Sequence, residues 1–208
     1  MSLSVLWEWL FNAWIAGEIV ISIATRTRRG QGDLQDRGTQ LILWIVIVLS
    51  MTACGSLPHF RFLPLPIGHA SLRIAALGLL AAGLLVRIAA IFTLGKSFSA
   101  NVATHAAQTI NRSGVYAIVR HPSYLGMEII FLAAGINSFD WAGLAVAFIP
   151  PTLAVLYRIH VEEAVLFGAF GDRYADYART TKRLLPGIYE VLPHRKIIPW
   201  PPRTRLRF

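Results

Sequence analysis

The sequence predicts an all-α, polytopic membrane helix bundle with about five transmembrane helices. Its N-terminus is expected outside, its C-terminus inside, and a cytoplasmic amphipathic helix near the C-terminal end. Three observations carry this. Of 208 residues, 55% are apolar and the mean hydropathy is +0.53. Only 15% are charged, against about 25% in soluble domains. The charge is one-sided, 20 Lys+Arg against 11 Asp+Glu, a net of +9. This composition excludes disordered, collagen-like and soluble enzyme classes. One domain is the default at this length, and no internal repeat is present.

The spans follow from apolar runs of about 20 residues. Span one is Leu3–Ala24. The stretch Met1–Ala24 has no basic residue and carries Glu8 and Glu18, unlike a signal peptide, and is read as a retained first span. Span two, Thr39–Leu57, contains LILWIVIVLS, and span three covers Ser71–Leu94 with Arg87 inside it. Span four, Pro122–Ile136, is short, and only Asn-Ser-Phe-Asp separates it from span five, Trp141–Tyr157. Pro150-Pro151 removes two backbone donors from span five and should kink it, by plain packing or beside a cavity. The run Leu77–Leu85 offers small residues for close helix packing.

Counting basic residues sets the orientation. With loops assigned to alternate sides, 17 basic residues fall inside and only Arg61 outside. That bias is the positive-inside rule, and it accounts for the surplus charge without nucleic acid, for which no motif is present. The basic tail, including Arg195, Lys196, Arg203, Arg205 and Arg207, suits anionic lipid. The single Cys54 makes neither a disulfide nor a cysteine zinc site, so no metal is expected.

The chemistry concentrates in two inside-facing segments. The first, SGVYAIVRHPSYLGM, runs from Ser113 to Met127. Pro122 suits the first turn of a helix, leaving the first amides of span four beside Gly126, where no side chain blocks approach. A ligand carboxylate or adenine edge fits such an end; Arg120 and His121 as mere interfacial anchors fit equally. The second segment, RIHVEEAVLFGAFGDRYADYARTTKRLLP, runs from Arg158 to Pro186. Glu162 and Glu163 are adjacent, so their carboxylates point about 100° apart and serve different partners. One faces a ligand such as a ribose diol, or Arg158 pairs with Glu162 along the helix. Phe167, Phe170, Tyr174 and Tyr177 recur at helical spacing, with Gly168 and Gly171 interposed and Asp172 placed to cap a new helix. Glu128, inside span four, is either a functional intramembrane carboxylate or the partner of Arg87.

Together these segments resemble the isoprenylcysteine carboxyl methyltransferase family of membrane enzymes. The resemblance rests on R-H-P-x-Y-x-G (Arg120–Gly126), the Glu162-Glu163 pair, F-G-x-x-Y-x-x-Y (Phe170–Tyr177) and Leu185-Pro186, in that order. It implies use of S-adenosyl-L-methionine (SAM), released as S-adenosyl-L-homocysteine, with a lipophilic acceptor entering from the bilayer. By position it implies cofactor binding by Tyr116, His121, Pro122, Tyr124, Leu125, Gly126, Glu162, Glu163, Tyr174, Tyr177, Leu185 and Pro186. It divides a single domain, 1–208, into a three-span N-terminal region (1–94), a SAM-binding core (111–188) and a basic tail (189–208). One position departs from the pattern: Thr180 stands where family members often place the arginine that engages the acceptor carboxylate. Arg179 or Arg183 takes that role by a local shift, with Arg120 nearby, or the acceptor differs. The function this implies is methyl transfer to the carboxylate of an isoprenylcysteine-like acceptor at the cytoplasmic membrane face. The alternatives are a phospholipid amine N-methyltransferase, an enzyme for another small lipophilic acceptor and, more remotely, a non-enzymatic membrane protein. An amine would need a base, for which Glu128 or His160 is the candidate.

Overall fold

The computed structural model of the protein describes residues 2–24, 33–34, 38–56, 62–95, 103–104 and 110–184. Six helices occur in these residues: α1 (Leu3–Ala24), α2 (Thr39–Ser56), α3 (His69–Leu94), α4 (Pro122–Asn137), α5 (Trp141–Phe170) and α6 (Asp172–Thr180). Two strands of two residues, β1 (Asp33–Leu34) and β2 (Ala103–Thr104), pair antiparallel. A 3-10 turn, Gly114–Ala117, precedes α4.

Four helices, α1, α2, α3 and α5, are long and apolar enough to cross a membrane. Each buries one stripe and exposes apolar side chains elsewhere. In α2 the stripe is Leu43, Ile47, Ser50 and Cys54, while Leu41, Val48 and Leu49 lie outward and exposed. A helix apolar all round needs an apolar surround, here lipid. The chain is an integral membrane helix bundle.

Span four is the shortest of the five expected. At 16 residues α4 reaches only about 24 Å, short of a hydrocarbon core of about 30 Å. It is instead the inner helix: Met127, Ile130, Phe131, Ala133 and Ala134 are buried in the core, and it packs on both α3 and α5. Its partner α5 is 30 residues long and runs unbroken through Pro150 and Pro151 to Phe170. The sequence reading ended that span at Tyr157; the helix continues 13 residues further, so Glu162 and Glu163 ride on the same rod as the span. The expected amphipathic helix is split between the end of α5 and α6 at Gly171 (φ 53°), which lies in the left-handed region that suits glycine.

At one end of the bundle a tight turn joins α4 to α5. The Asp140 side chain caps α5 by accepting from the Ala142 amide (2.8 Å) and also accepts from the Leu63 amide (2.8 Å). At the other end the C-termini of α1, α3 and α5 meet the N-termini of α2 and α4, and this end carries the polar side chains described next. Most of the basic residues counted for the orientation, among them Arg26, Arg28, Arg29, Arg37, Arg61 and Lys96, lie outside the described residues.

Candidate functional site

Close contact of two helices sets the site's floor. A Cβ on Gly126 would stand 2.8 Å from the Gly83 carbonyl oxygen and 2.9 Å from the Arg87 amide nitrogen. A Cβ on Gly83 would stand 2.8 Å from the Gly126 carbonyl oxygen. Where the sequence offers Gly126 as a point of close ligand approach, the structure packs the α3 backbone against the face a side chain would occupy. The small residues of Leu77–Leu85 thus serve close packing through Gly83.

From that floor α4 presents its first turn. Pro122 is its first residue and is fully buried. The first intrahelical bond is donated by the Leu125 amide to the His121 carbonyl (3.0 Å), so the Ser123 and Tyr124 amides lie ahead of it. Leu125 is partly buried against the apolar core. The segment after α6 returns as a strap beside this turn. The Arg120 amide donates to the Lys182 carbonyl (2.7 Å) and the His121 amide to the Arg183 carbonyl (3.2 Å), a parallel bridge that sequence periodicity did not reveal. Leu184 anchors the strap in the core at 3% exposure.

The hub of the site is Glu163. Its carboxylate accepts from Arg120 Nε (3.1 Å), lies 3.3 Å from His121 Nε2, and accepts from Arg183 Nε (2.9 Å) and Nη2. Arg120 Nη1 also donates to the carbonyls of Ala178 (2.7 Å) and Thr181. One carboxylate therefore ties α5, the start of α4, the end of α6 and the strap. Glu162, half-buried, faces elsewhere and accepts from the Tyr124 hydroxyl (2.8 Å), which in turn accepts from Arg158 Nε (2.8 Å). Arg158 Nη1 donates to Thr39 Oγ1 (2.8 Å), bringing in the first residue of α2. The two carboxylates thus have separate partners, as their angular separation on the helix requires.

The aromatic residues of α6 close the assembly from above. The Tyr177 hydroxyl donates to the Tyr116 carbonyl (2.7 Å), and burial pushes its pKa up to about 12. Burial also raises the Tyr116 and Tyr174 phenols, so all three remain protonated donors at neutral pH. Tyr174 packs edge-on against Phe167 (4.8 Å between ring centroids) and Tyr177 (6.0 Å). Its hydroxyl is buried and has no hydrogen-bond partner among the described residues. Buried polar groups are ordinarily hydrogen-bonded, so this hydroxyl stands out.

The candidate arginines separate cleanly. Arg179 is 62% exposed and pairs with Asp176 (2.8 Å) on the surface of α6. Arg120 and Arg183 stand in the Glu163 hub. Arg183 is 20% exposed and spends Nε and Nη2 on Glu163; its Nη1 makes no hydrogen bond among the described residues. Leu185 and Pro186 lie outside the described residues.

Two intramembrane acids also differ from the sequence reading. Arg87 pairs with Glu18 of α1, not with Glu128. Glu128 is 8% exposed, and its Oε2 accepts from the Thr152 hydroxyl (2.6 Å). Its Oε1 has no hydrogen-bond partner among the described residues. His160 is exposed. The sequence already held the signal for Glu18, a carboxylate within a span, but offered no means of choosing between two acids for one arginine.

Three comparisons place the chain among known proteins. The model of the isoprenylcysteine carboxyl methyltransferase family matches residues 76–168, which begin within α3 and stop before α6. A protein-S-isoprenylcysteine O-methyltransferase of Schizosaccharomyces pombe is 32% identical over 114 residues, 54% of this chain and 48% of that protein. A methanethiol S-methyltransferase of Mycobacterium tuberculosis is 37% identical over 81 residues, 39% of this chain and 30% of that protein. The chain thus spans about half the length, or less, of these curated relatives. The solved structure of a eukaryotic intramembrane Ras methyltransferase (isoprenylcysteine carboxyl methyltransferase) superposes with a TM-score of 0.57 at 25% identity, covering 70% of this chain and 52% of that one. In sequence over residues 76–168, which hold the first motif segment and the Glu162-Glu163 pair, the chain matches the isoprenylcysteine carboxyl methyltransferase family model, and in fold over 70% of its length it is similar to a solved member.

Proposed function

We propose that the chain is a SAM-dependent methyltransferase of the membrane interface that methylates the carboxylate of an isoprenylcysteine-like lipophilic acceptor. The observation that carries this is the Glu163 hub with Arg183 at its edge: a half-buried guanidinium, fixed on one side, with one nitrogen uncommitted among the described residues. Its planar fork matches a carboxylate, and Glu163 holds it so that little side-chain entropy is lost on binding. An α-carboxyl, with a pKa of about 3.3–3.7, is ionised at neutral pH, so this reaction needs no general base. What the site must do is orient the acceptor oxygen and exclude water. The exposed His160 and the buried, Thr152-bound Glu128 leave an amine acceptor without a poised base at the hub.

SAM supplies the electrophilic methyl group when bound. The chain fits it: Glu162 with Tyr124 offers a half-buried carboxylate, Tyr174 an unpaired buried hydroxyl, and the first turn of α4 its leading amides. His121 and Pro122 shape that turn, Leu125 packs behind it, and Tyr116 and Tyr177 hold the lid. Glu163 acts through the residues it holds, and Arg120 binds the strap rather than the acceptor. Residues 111–188 form the cofactor core on a scaffold of residues 1–94, with the site on the cytoplasmic side where basic residues accumulate.

Purified protein in detergent or nanodiscs, incubated with methyl-labelled SAM and a panel of prenylcysteines, amino lipids and small thiols, tests this. A base-labile methyl ester on the prenylcysteines is expected. Label found only in base-stable products overturns the carboxylate reading. No heat on titrating folded protein with S-adenosylhomocysteine overturns the enzyme reading altogether.

A further inference from the structure

The buried ion pair between α1 and α3 lies outside the hub, and nothing in the proposed methyl transfer uses it. Glu18 is 2% exposed and Arg87 7%. Both oxygens of Glu18 accept from Arg87, one from Nε and one from Nη2, and Trp14 Nε1 donates to Oε1 (3.1 Å). That leaves Arg87 Nη1, which donates to Ser123 at both the hydroxyl (2.6 Å) and the carbonyl oxygen (3.2 Å). Ser123 is the second residue of α4 and its amide is one of those ahead of the first intrahelical bond.

Burying such a pair is costly. Well-packed apolar residues of similar volume are often as stable or more so, which makes stability a weak reason for the pair. Its geometry offers a better one. Arg87 lies one turn beyond Gly83, where α3 and α4 touch through backbone, so a planar guanidinium held at both ends fixes how α4 begins. The acid comes from α1, beyond the residues matched by the family model.

We propose that Glu18 and Arg87 are positioning residues for the cofactor-binding end of α4. Glu18 sets the guanidinium, and the guanidinium sets Ser123 and the two leading amides. This rests on the reading of that helix end as a SAM site.

The test compares wild type, Ser123→Ala and the charge-reversed double variant Glu18→Arg/Arg87→Glu. Reversal restores an ion pair between α1 and α3, but a glutamate at 87 has no donor for the Ser123 carbonyl. Two quantities are measured: hydrogen exchange of peptides covering 116–127 without ligand, and S-adenosylhomocysteine affinity. Faster exchange confined to the start of α4 is expected in Ser123→Ala and in the reversed pair, with thermal stability of the pair near wild type. Affinity is expected to fall about tenfold in the reversed pair. Wild-type exchange at 116–127 in both variants overturns the proposal, whatever the ligand does. Wild-type protein that binds no S-adenosylhomocysteine overturns the methyltransferase reading instead, and the exchange result still decides whether the pair positions α4. Should the reversed pair fail to fold, Ser123→Ala carries the same exchange test by itself.

Discussion

Replacing Gly126 by alanine tells helix packing from ligand approach. The added methyl would meet the Gly83 carbonyl oxygen at 2.8 Å and the amide nitrogen and Cβ of Arg87 at 2.9 Å, where ordinary contact starts at 3.4 Å. Two of these obstacles are backbone atoms, so no rotamer change relieves them. The helices must separate by about 0.5 Å, and overpacking of this kind costs about 1–3 kcal/mol. The same reasoning applied from the other helix gives Gly83→Ala a like loss, since its methyl meets Ile130 Cγ1 at 2.7 Å and the Gly126 carbonyl oxygen at 2.8 Å. Denaturant unfolding of both variants in mild detergent measures this, alongside S-adenosylhomocysteine titration. Both variants should lose stability together, and the double variant should lose less than the sum because one helix separation accommodates both methyls. If Gly126→Ala keeps full stability and loses only cofactor affinity while Gly83→Ala is destabilised, the packing argument is wrong and Gly126 does face the ligand.

Other outcomes follow from the hub. Arg183→Ala should lower kcat/KM for a carboxylate acceptor by about 10–100-fold, as expected for a lost charge-assisted hydrogen bond, whereas Arg179→Ala, a surface pair, should leave turnover unchanged in the same assay. Glu163→Ala leaves Arg120, His121 and Arg183 without their shared anion and should cost about 3–5 kcal/mol, read by unfolding in detergent. Tyr177→Phe removes the bond to the Tyr116 carbonyl and should cost about 1 kcal/mol, measured the same way, with a matching rise in proteolysis near α6. Glu128→Gln should retain methyl ester formation within about threefold, because the reaction needs no base; a loss of about 100-fold or more would assign the carboxyl a chemical role.

Composition and charge placement determined the class of this protein. With 55% apolar residues and apolar runs of about 20, the chain has more apolar surface than a bundle in water can hide, and the structure bears this out in the exposed Leu41, Phe92 and Ile23. The motif residues were legible in part for the same reason: Arg120-His121 and Glu162-Glu163 carry charge beside apolar spans, while Tyr174 and Tyr177 stand out by their helical spacing. Their pairing was not. Periodicity fixes which residues share a helix face, but says nothing of which face meets which. Hence only the tertiary structure gave Arg87 to Glu18 rather than Glu128, chose Arg183 over Arg179 for the hub, and turned Gly126 toward Gly83. It also made α4 an inner helix, since a 16-residue element surrounded by α3 and α5 looks, in sequence, like any short span. Those choices depend on distances between segments 20 to 69 residues apart in the chain, and only the packed bundle brings them together.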